Sequence, residues 1–125
     1  MSFLKFVFGM PFSLRQRRLE SRRPPMSKQE FVERVASSEI GKSAASKVWE
    51  KLLDAAAINT FIPYPDDDIL YTYGLADEDL DEDIILEILD ALNRAVPSKH
   101  ALRISGPIKS AADIVRLVES QPNLS

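Results

Sequence analysis

Apolar residues recur at helical spacing in the chain that follows a pair of prolines. A Ser27–Glu30 capping box opens the first such stretch and predicts a short helix that ends near Ser38. Gly41 is expected to interrupt the pattern. Ser43 then caps a second predicted helix, which continues to about Ala57.

Two further helices are predicted in the second half of the chain. One begins among acidic residues and extends from Asp83 to Arg94, with an inward stripe formed by Ile84, Ile85, Ile88, Leu89 and Leu92. The last follows a Ser110–Asp113 capping box and stops before Pro122. Residues 58–74 hold prolines and aromatic side chains, which predicts a long loop packed on the helices. The expected fold is all-α, a small bundle of four to five helices over residues 27–125.

Charge is distributed unevenly along the 125 residues, although the net charge is only -3. Residues 1–25 hold six basic residues and one acidic residue, and no basic residue lies between Lys51 and Arg94. An acidic block repels nucleic acid and attracts cationic surfaces. We therefore expect a protein partner with a basic surface and no nucleic-acid partner, although the same charges also suit a solvated face.

Residues 1–26 form a basic and apolar extension. Gly9 and Pro11 interrupt its apolar run, which is too short to span a bilayer and lacks a signal-peptide cleavage site. Three interpretations remain, a membrane-surface anchor over residues 1–23, a targeting peptide or a disordered tail. We expect a disordered tail that ends at Pro24 and Pro25, on a monomeric cytoplasmic protein.

Few residues suit catalysis or metal binding. The chain has no cysteine, and His100 is its single histidine, which leaves little for a catalytic triad. Carboxylates alternate from Asp77 to Asp83 as in a calcium loop, but Glu82 and Ile88 occupy the positions that require glycine and a bidentate glutamate. We expect no enzyme activity, no cofactor and no metal site.

The outer side of the helix that begins at Asp83 is the best candidate for binding. At 100° per residue, Leu86 points away from the apolar stripe and lies among Asp83, Glu87 and Asp90. An apolar side chain ringed by carboxylates is typical of an interaction site, in which the charges orient a basic partner. These four residues are the predicted partner-binding site.

The pattern of this helix resembles that of acyl carrier proteins, whose second helix carries acids around an exposed apolar residue. Ala76–Asp77 align with the residues before that family's modified serine. Asp83 and Leu86 then fall on the acid and the apolar residue of its recognition helix, and Val96–Pro97 on its closing pair. The Ser110–Ser120 segment is similar to the family's last helix. The resemblance covers about residues 44–120.

The chain departs from that family at the residue that carries the prosthetic arm. Glu78 occupies the position of the phosphopantetheine serine, and no serine or threonine lies between Thr72 and Ser98. A carboxylate cannot form the phosphodiester, so the resemblance implies carrier-like shape and docking without carrier chemistry. We expect a non-catalytic interaction domain. The alternative is a small acidic inhibitor or immunity-type protein that blocks a basic enzyme site.

Overall fold

A computed structural model describes residues 11–75, 84–97 and 108–124. These residues form six helices, α1 (Phe12–Arg22), α2 (Lys28–Val35), α3 (Glu39–Ala55), α4 (Ile69–Tyr73), α5 (Leu86–Ala91) and α6 (Ala111–Ser120). They contain no β-strand, and their one β-type pairing is an isolated antiparallel bridge between Arg94 and Asn123. The described part of the chain is therefore all-α, as its periodicity predicts.

Helix α3 lies at the centre of the bundle and packs against α6, α2 and α5. Phe31 of α2 meets Trp49 of α3 edge to face, with ring centroids 5.2 Å apart. Leu52 and Ile114 are fully buried between the helices. The core is thus formed mainly by the apolar stripes that the sequence predicts.

Helix α2 begins where its capping box predicts, because the Ser27 hydroxyl accepts a hydrogen bond from the Glu30 backbone N–H at 3.1 Å. The start predicted for the next helix is wrong. Ser38, not Ser43, caps α3 by accepting the Gly41 N–H at 3.0 Å, so Gly41 lies inside the first turn. No break is needed there, since one glycine in a helix costs only about 1 kcal/mol.

Gly41 also allows a tertiary contact. A Cβ atom at this position would overlap the carboxylate of Glu119, which belongs to α6. That carboxylate accepts hydrogen bonds from the Ser37 N–H at 2.9 Å and from the Ser38 hydroxyl at 2.7 Å. Glu119 therefore fastens α6 to the corner between α2 and α3.

The long packed loop is present over residues 56–68 but ends earlier than predicted. Phe61 is buried and contacts the Tyr73 ring edge to face at 5.8 Å. Residues 69–73, predicted as loop, form α4 instead, because the Asp68 carboxylate caps the Tyr71 N–H at 2.8 Å. Gly74 ends this helix in the left-handed conformation, at φ 74°.

Helix α5 ends earlier than predicted. A π-helical turn at Ile84 and Ile85 precedes it, and Leu92 closes it before the predicted end at Arg94. Asn93 adopts a left-handed conformation, at φ 56°. The Arg94 N–H bonds to the Leu89 carbonyl at 2.8 Å and the Asn93 N–H to the Asp90 carbonyl, which is a Schellman motif. Asparagine tolerates this conformation and so ends the helix.

Helix α1 contradicts the expectation of disorder for residues 12–22. It packs against α4, its Gln16 side chain is fully buried, and Met26 belongs to the core. The expectation failed because the segment is held largely by polar side chains, which the hydrophobic pattern does not reveal. Residues 1–10 lie outside the described part of the chain.

Candidate docking face

Helix α5 separates buried and exposed side chains sharply. Ile84, Ile85, Ile88 and Leu89 are each exposed by 3% or less, whereas Leu86 is 38% exposed. Glu87 and Asp90 are exposed on the same outer side. We call Leu86, Glu87 and Asp90 the α5 face, and it presents an apolar side chain between two carboxylates.

The two carboxylates of the α5 face are not equivalent. Glu87 forms an ion pair with Lys51 of α3, which the sequence pattern did not indicate. Asp90 forms no ion pair with any residue in the described ranges. Asp90 is therefore the carboxylate of this face that remains available to a cation from outside.

A shallow groove of about 370 Å³ lies between α3 and α5. Its charged lining consists of Lys47, Lys51, Glu50, Asp54, Glu87 and Asp90. Glu50 lies 3.6 Å from the ammonium group of Lys28, whereas Asp54, like Asp90, has no ion-pair partner among the described residues. The α3 side of the groove carries both signs, because Lys47, like Asp54, has no ion-pair partner among the described residues, and the negative charge of the site is therefore concentrated on the α5 face.

Several residues singled out in the sequence lie outside the described residues. They are Asp83, the fourth member of the predicted binding site, Glu78 at the position of the carrier serine, the carboxylates from Asp77 to Asp83, and His100. Within the described ranges, no group of three histidine, aspartate or glutamate side chains is arranged to bind a metal ion.

A buried polar cluster beneath α1 escaped the sequence analysis. The Arg23 guanidinium binds the Asp67 carboxylate through two hydrogen bonds of 2.5 and 2.9 Å and donates a third, of 2.9 Å, to the Ile62 carbonyl. Burial, and next the charge of Asp67, hold the pKa of Tyr73 well above its usual value. Asp67 lies in a run of three aspartates, a pattern typical of an exposed segment, so the sequence did not indicate that it is buried.

Gln16 is the second polar contact of α1 that the sequence did not reveal. Its amide nitrogen donates to the Thr72 carbonyl at 2.9 Å, and its amide oxygen accepts the N–H groups of Ala57 at 2.9 Å and Ile58 at 3.3 Å. One side chain therefore satisfies backbone groups at the start of the long loop and in α4. A glutamine among arginines carries no pattern from which such a role could be predicted.

Two further observations concern membrane-spanning helices and similarity to known proteins. None of the helices in residues 11–75, 84–97 and 108–124 is both long and apolar enough to cross a membrane. No protein-family model, curated protein or solved structure matches the chain. Function is therefore inferred from the geometry and charge of the described surface.

Proposed function

We propose that the chain is a non-catalytic interaction domain that binds the basic surface of a partner protein through the α5 face, in the manner of an acyl carrier protein. The observation that carries the proposal is the exposure of Leu86 beside Asp90 on a helix whose other large apolar side chains, Ile88 and Leu89, are buried. An exposed leucine is ordinary by itself, and the two carboxylates beside Leu86 are what give this face the character of an interaction site.

The charges and the leucine contribute to binding in different ways. An exposed ion pair contributes only about 0.2–1 kcal/mol, so Asp90 and Asp54 mainly steer the encounter and align a basic partner. Leu86 supplies the apolar contact that loses its water on binding. Affinity should therefore depend on Leu86, and the association rate and its salt sensitivity on the carboxylates.

The carrier-like part of the proposal is supported by the order of the elements. The long loop, α4 and the acidic segment precede α5 in the chain, Val96 and Pro97 follow it, and the serine-capped α6 is the last described helix. Glu78 at the position of the modified serine argues for docking without a prosthetic arm. Intact mass after co-expression with a phosphopantetheinyl transferase should therefore be unchanged, and a mass increase by one arm would refute this part.

The docking face is tested by capture of a partner on the immobilised full chain, with identification by mass spectrometry. The pair Leu86→Arg and Asp90→Lys should reduce recovery of that partner more than about tenfold, since it removes the apolar contact and reverses a charge. The matched pair Leu70→Arg and Asp66→Lys makes the same chemical changes at exposed positions beside and on α4 and should leave recovery unchanged.

Circular dichroism on both double variants separates loss of the face from loss of fold. Equal recovery by the wild type and the α5 variant would remove the face from consideration. The identity of the partner decides between the two classes left open by the sequence. A biosynthetic enzyme fits a carrier-like domain, whereas a toxin or nuclease fits the inhibitor.

A further inference from the structure

The outer side of α1 carries arginines that pair with no acidic residue in the described ranges. Arg17 and Arg18 are exposed there together with Leu14, which is 43% exposed. Residues three and four apart lie on the same side of a helix, so these three side chains form one surface, which we call the α1 face. Neither of its guanidinium groups forms an ion pair with a described residue.

Two other arginines of the same region hold this face outward. Arg15 donates to the Tyr71 carbonyl at 3.1 Å and stacks over the Tyr71 ring, 4.5 Å from its centroid. Arg23 is paired with Asp67 under the helix. Because these contacts fix the orientation of α1, the α1 face points away from the bundle and can meet another molecule.

The α5 face carries the opposite charge in a matching arrangement. Leu86, which is 38% exposed, lies four residues before Asp90, just as Leu14 lies four residues before Arg18. Four residues advance about 6 Å along an α-helix, so the leucine and the charge have the same axial spacing on both faces. Two helices that run in the same direction can therefore place leucine against leucine and guanidinium against carboxylate at the same time.

We propose that the α1 face of one copy of this chain binds the α5 face of a second copy, head to tail. The proposal rests on the function proposed above for the α5 face, names the basic surface that it meets, and departs from the monomer expected from the sequence. Nucleic acid would also attract the arginines, but the chain holds 19 acidic residues against 16 basic ones and would repel a polyanion elsewhere. A second copy presents a carboxylate and a leucine together.

This contact joins two different faces, so a pair of chains keeps one free face on each member. Contacts of this heterologous kind add further copies until a ring closes or a filament grows. Each face offers one leucine and few charges, which is less than a stable interface of standard size provides. We therefore expect weak association that increases with protein concentration and decreases with salt, since salt screens exposed charges.

Sedimentation velocity of the full chain at rising concentration tests the contact. At low salt the wild type should form assemblies of two or more copies, and at high salt it should return to the monomer. Arg17→Glu with Arg18→Glu removes the α1 face, and Leu86→Arg with Asp90→Lys removes the α5 face. Each double variant alone should associate more than about tenfold more weakly. A mixture of the two retains one complementary pair of faces and should form a dimer and nothing larger.

The matched control for the α1 variant is Arg34→Glu with Lys109→Glu, which makes the same change in net charge at exposed positions outside both faces. It should assemble like the wild type, and equal loss in the control and the α1 variant would overturn the proposal. Circular dichroism on every variant confirms that lost assembly is not lost structure.

A wild type that stays monomeric up to millimolar concentration, or a mixture of the two variants that stays monomeric, would also overturn the head-to-tail contact. Capture of another protein through the α5 face of such a monomer would leave the proposed function standing, so the two failures can be told apart. Binding of duplex RNA by the monomer, lost in the α1 variant, would assign the α1 face to nucleic acid instead.

Discussion

Gln16 shows how much a single side chain contributes to holding α1 in place. It is fully buried and bonds to backbone groups of α4 and of the long loop. Replacing it by leucine would leave the Thr72 carbonyl buried without this partner and would remove the acceptor of the partly buried Ala57 N–H. We expect Gln16→Leu to lower the free energy of unfolding by about 2–4 kcal/mol in urea denaturation.

The same change at an exposed glutamine is the matched control. Gln29→Leu on α2 should alter the free energy of unfolding by less than about 0.5 kcal/mol, because Gln29 is exposed. Equal effects at the two positions would show that the hydrogen bonds of Gln16 do not stabilise the fold.

At the scale of elements, the position of α1 depends on the Arg23–Asp67 ion pair, which the sequence of α1 does not indicate. Arg23 and Asp67 are 16% and 6% exposed, so removal of one partner leaves the other charge buried. Asp67→Asn should cost about 3–5 kcal/mol, and hydrogen exchange should show early loss of protection in α1. Asp66→Asn, at an exposed neighbour, should change neither quantity.

Replacing both residues shows whether Asp67→Asn acts by leaving the Arg23 charge buried and unpaired. Arg23→Met combined with Asp67→Leu removes both charges and should destabilise the chain less than Asp67→Asn alone. A double variant that is less stable than the single one would mean that the hydrogen bonds of these side chains to the Tyr64 N–H and the Ile62 carbonyl, which only the double variant must lose, outweigh the uncompensated arginine charge.

Elements whose signals are local could be predicted, and those fixed by distant contacts could not. Ser110 and Asp113 form the capping box of α6 that their spacing indicates. The outward position of Leu86 likewise follows from the period of the apolar residues around it. The predicted end of α5 at Arg94 was wrong because Asn93 adopts a left-handed conformation, which the apolar periodicity of the helix does not indicate.

The predictions for position 41 and for residues 12–22 were wrong for a different reason. Gly41 marks the approach of Glu119, which is far along the chain, and no periodicity records such a contact. The order of α1 rests on buried polar bonds, and an arginine-rich sequence gives no sign of them. The helical period predicts which side chains of α5 face outward. It does not predict the Lys51–Glu87 ion pair, because that pair depends on how α3 packs against α5.

At the scale of the whole molecule, two carboxylates link stability to pH. Partial burial raises the pKa of Glu119, but hydrogen bonds from Ser38 and Ser37 outweigh it and hold this pKa below its usual value. The Lys109 and Ser110 N–H groups and Arg116 likewise lower the pKa of Asp113 against the opposing effect of burial. Their contribution to stability is present above the pKa of the unfolded chain and is lost as pH falls through the folded value.

The urea midpoint should therefore be steady near neutral pH and fall in the acid range. Glu119→Gln should lower the midpoint at neutral pH and reduce its decline on acidification, because the variant has one carboxylate fewer to protonate. Glu39→Gln, at an exposed position, is the control and should keep the slope of the wild type. An unchanged acid slope in Glu119→Gln would exclude this carboxylate as a source of the pH dependence.

The close approach of Glu119 to Gly41 also constrains how this chain can vary. Any side chain at position 41 must push the carboxylate aside and so give up its bonds to Ser37 and Ser38. Because the overlapping atoms are the end of a flexible side chain, an alanine there costs these hydrogen bonds rather than the fold, and a shorter residue at position 119 would remove the overlap. The two positions should consequently change as a pair among descendants of this sequence, although 77 residues separate them.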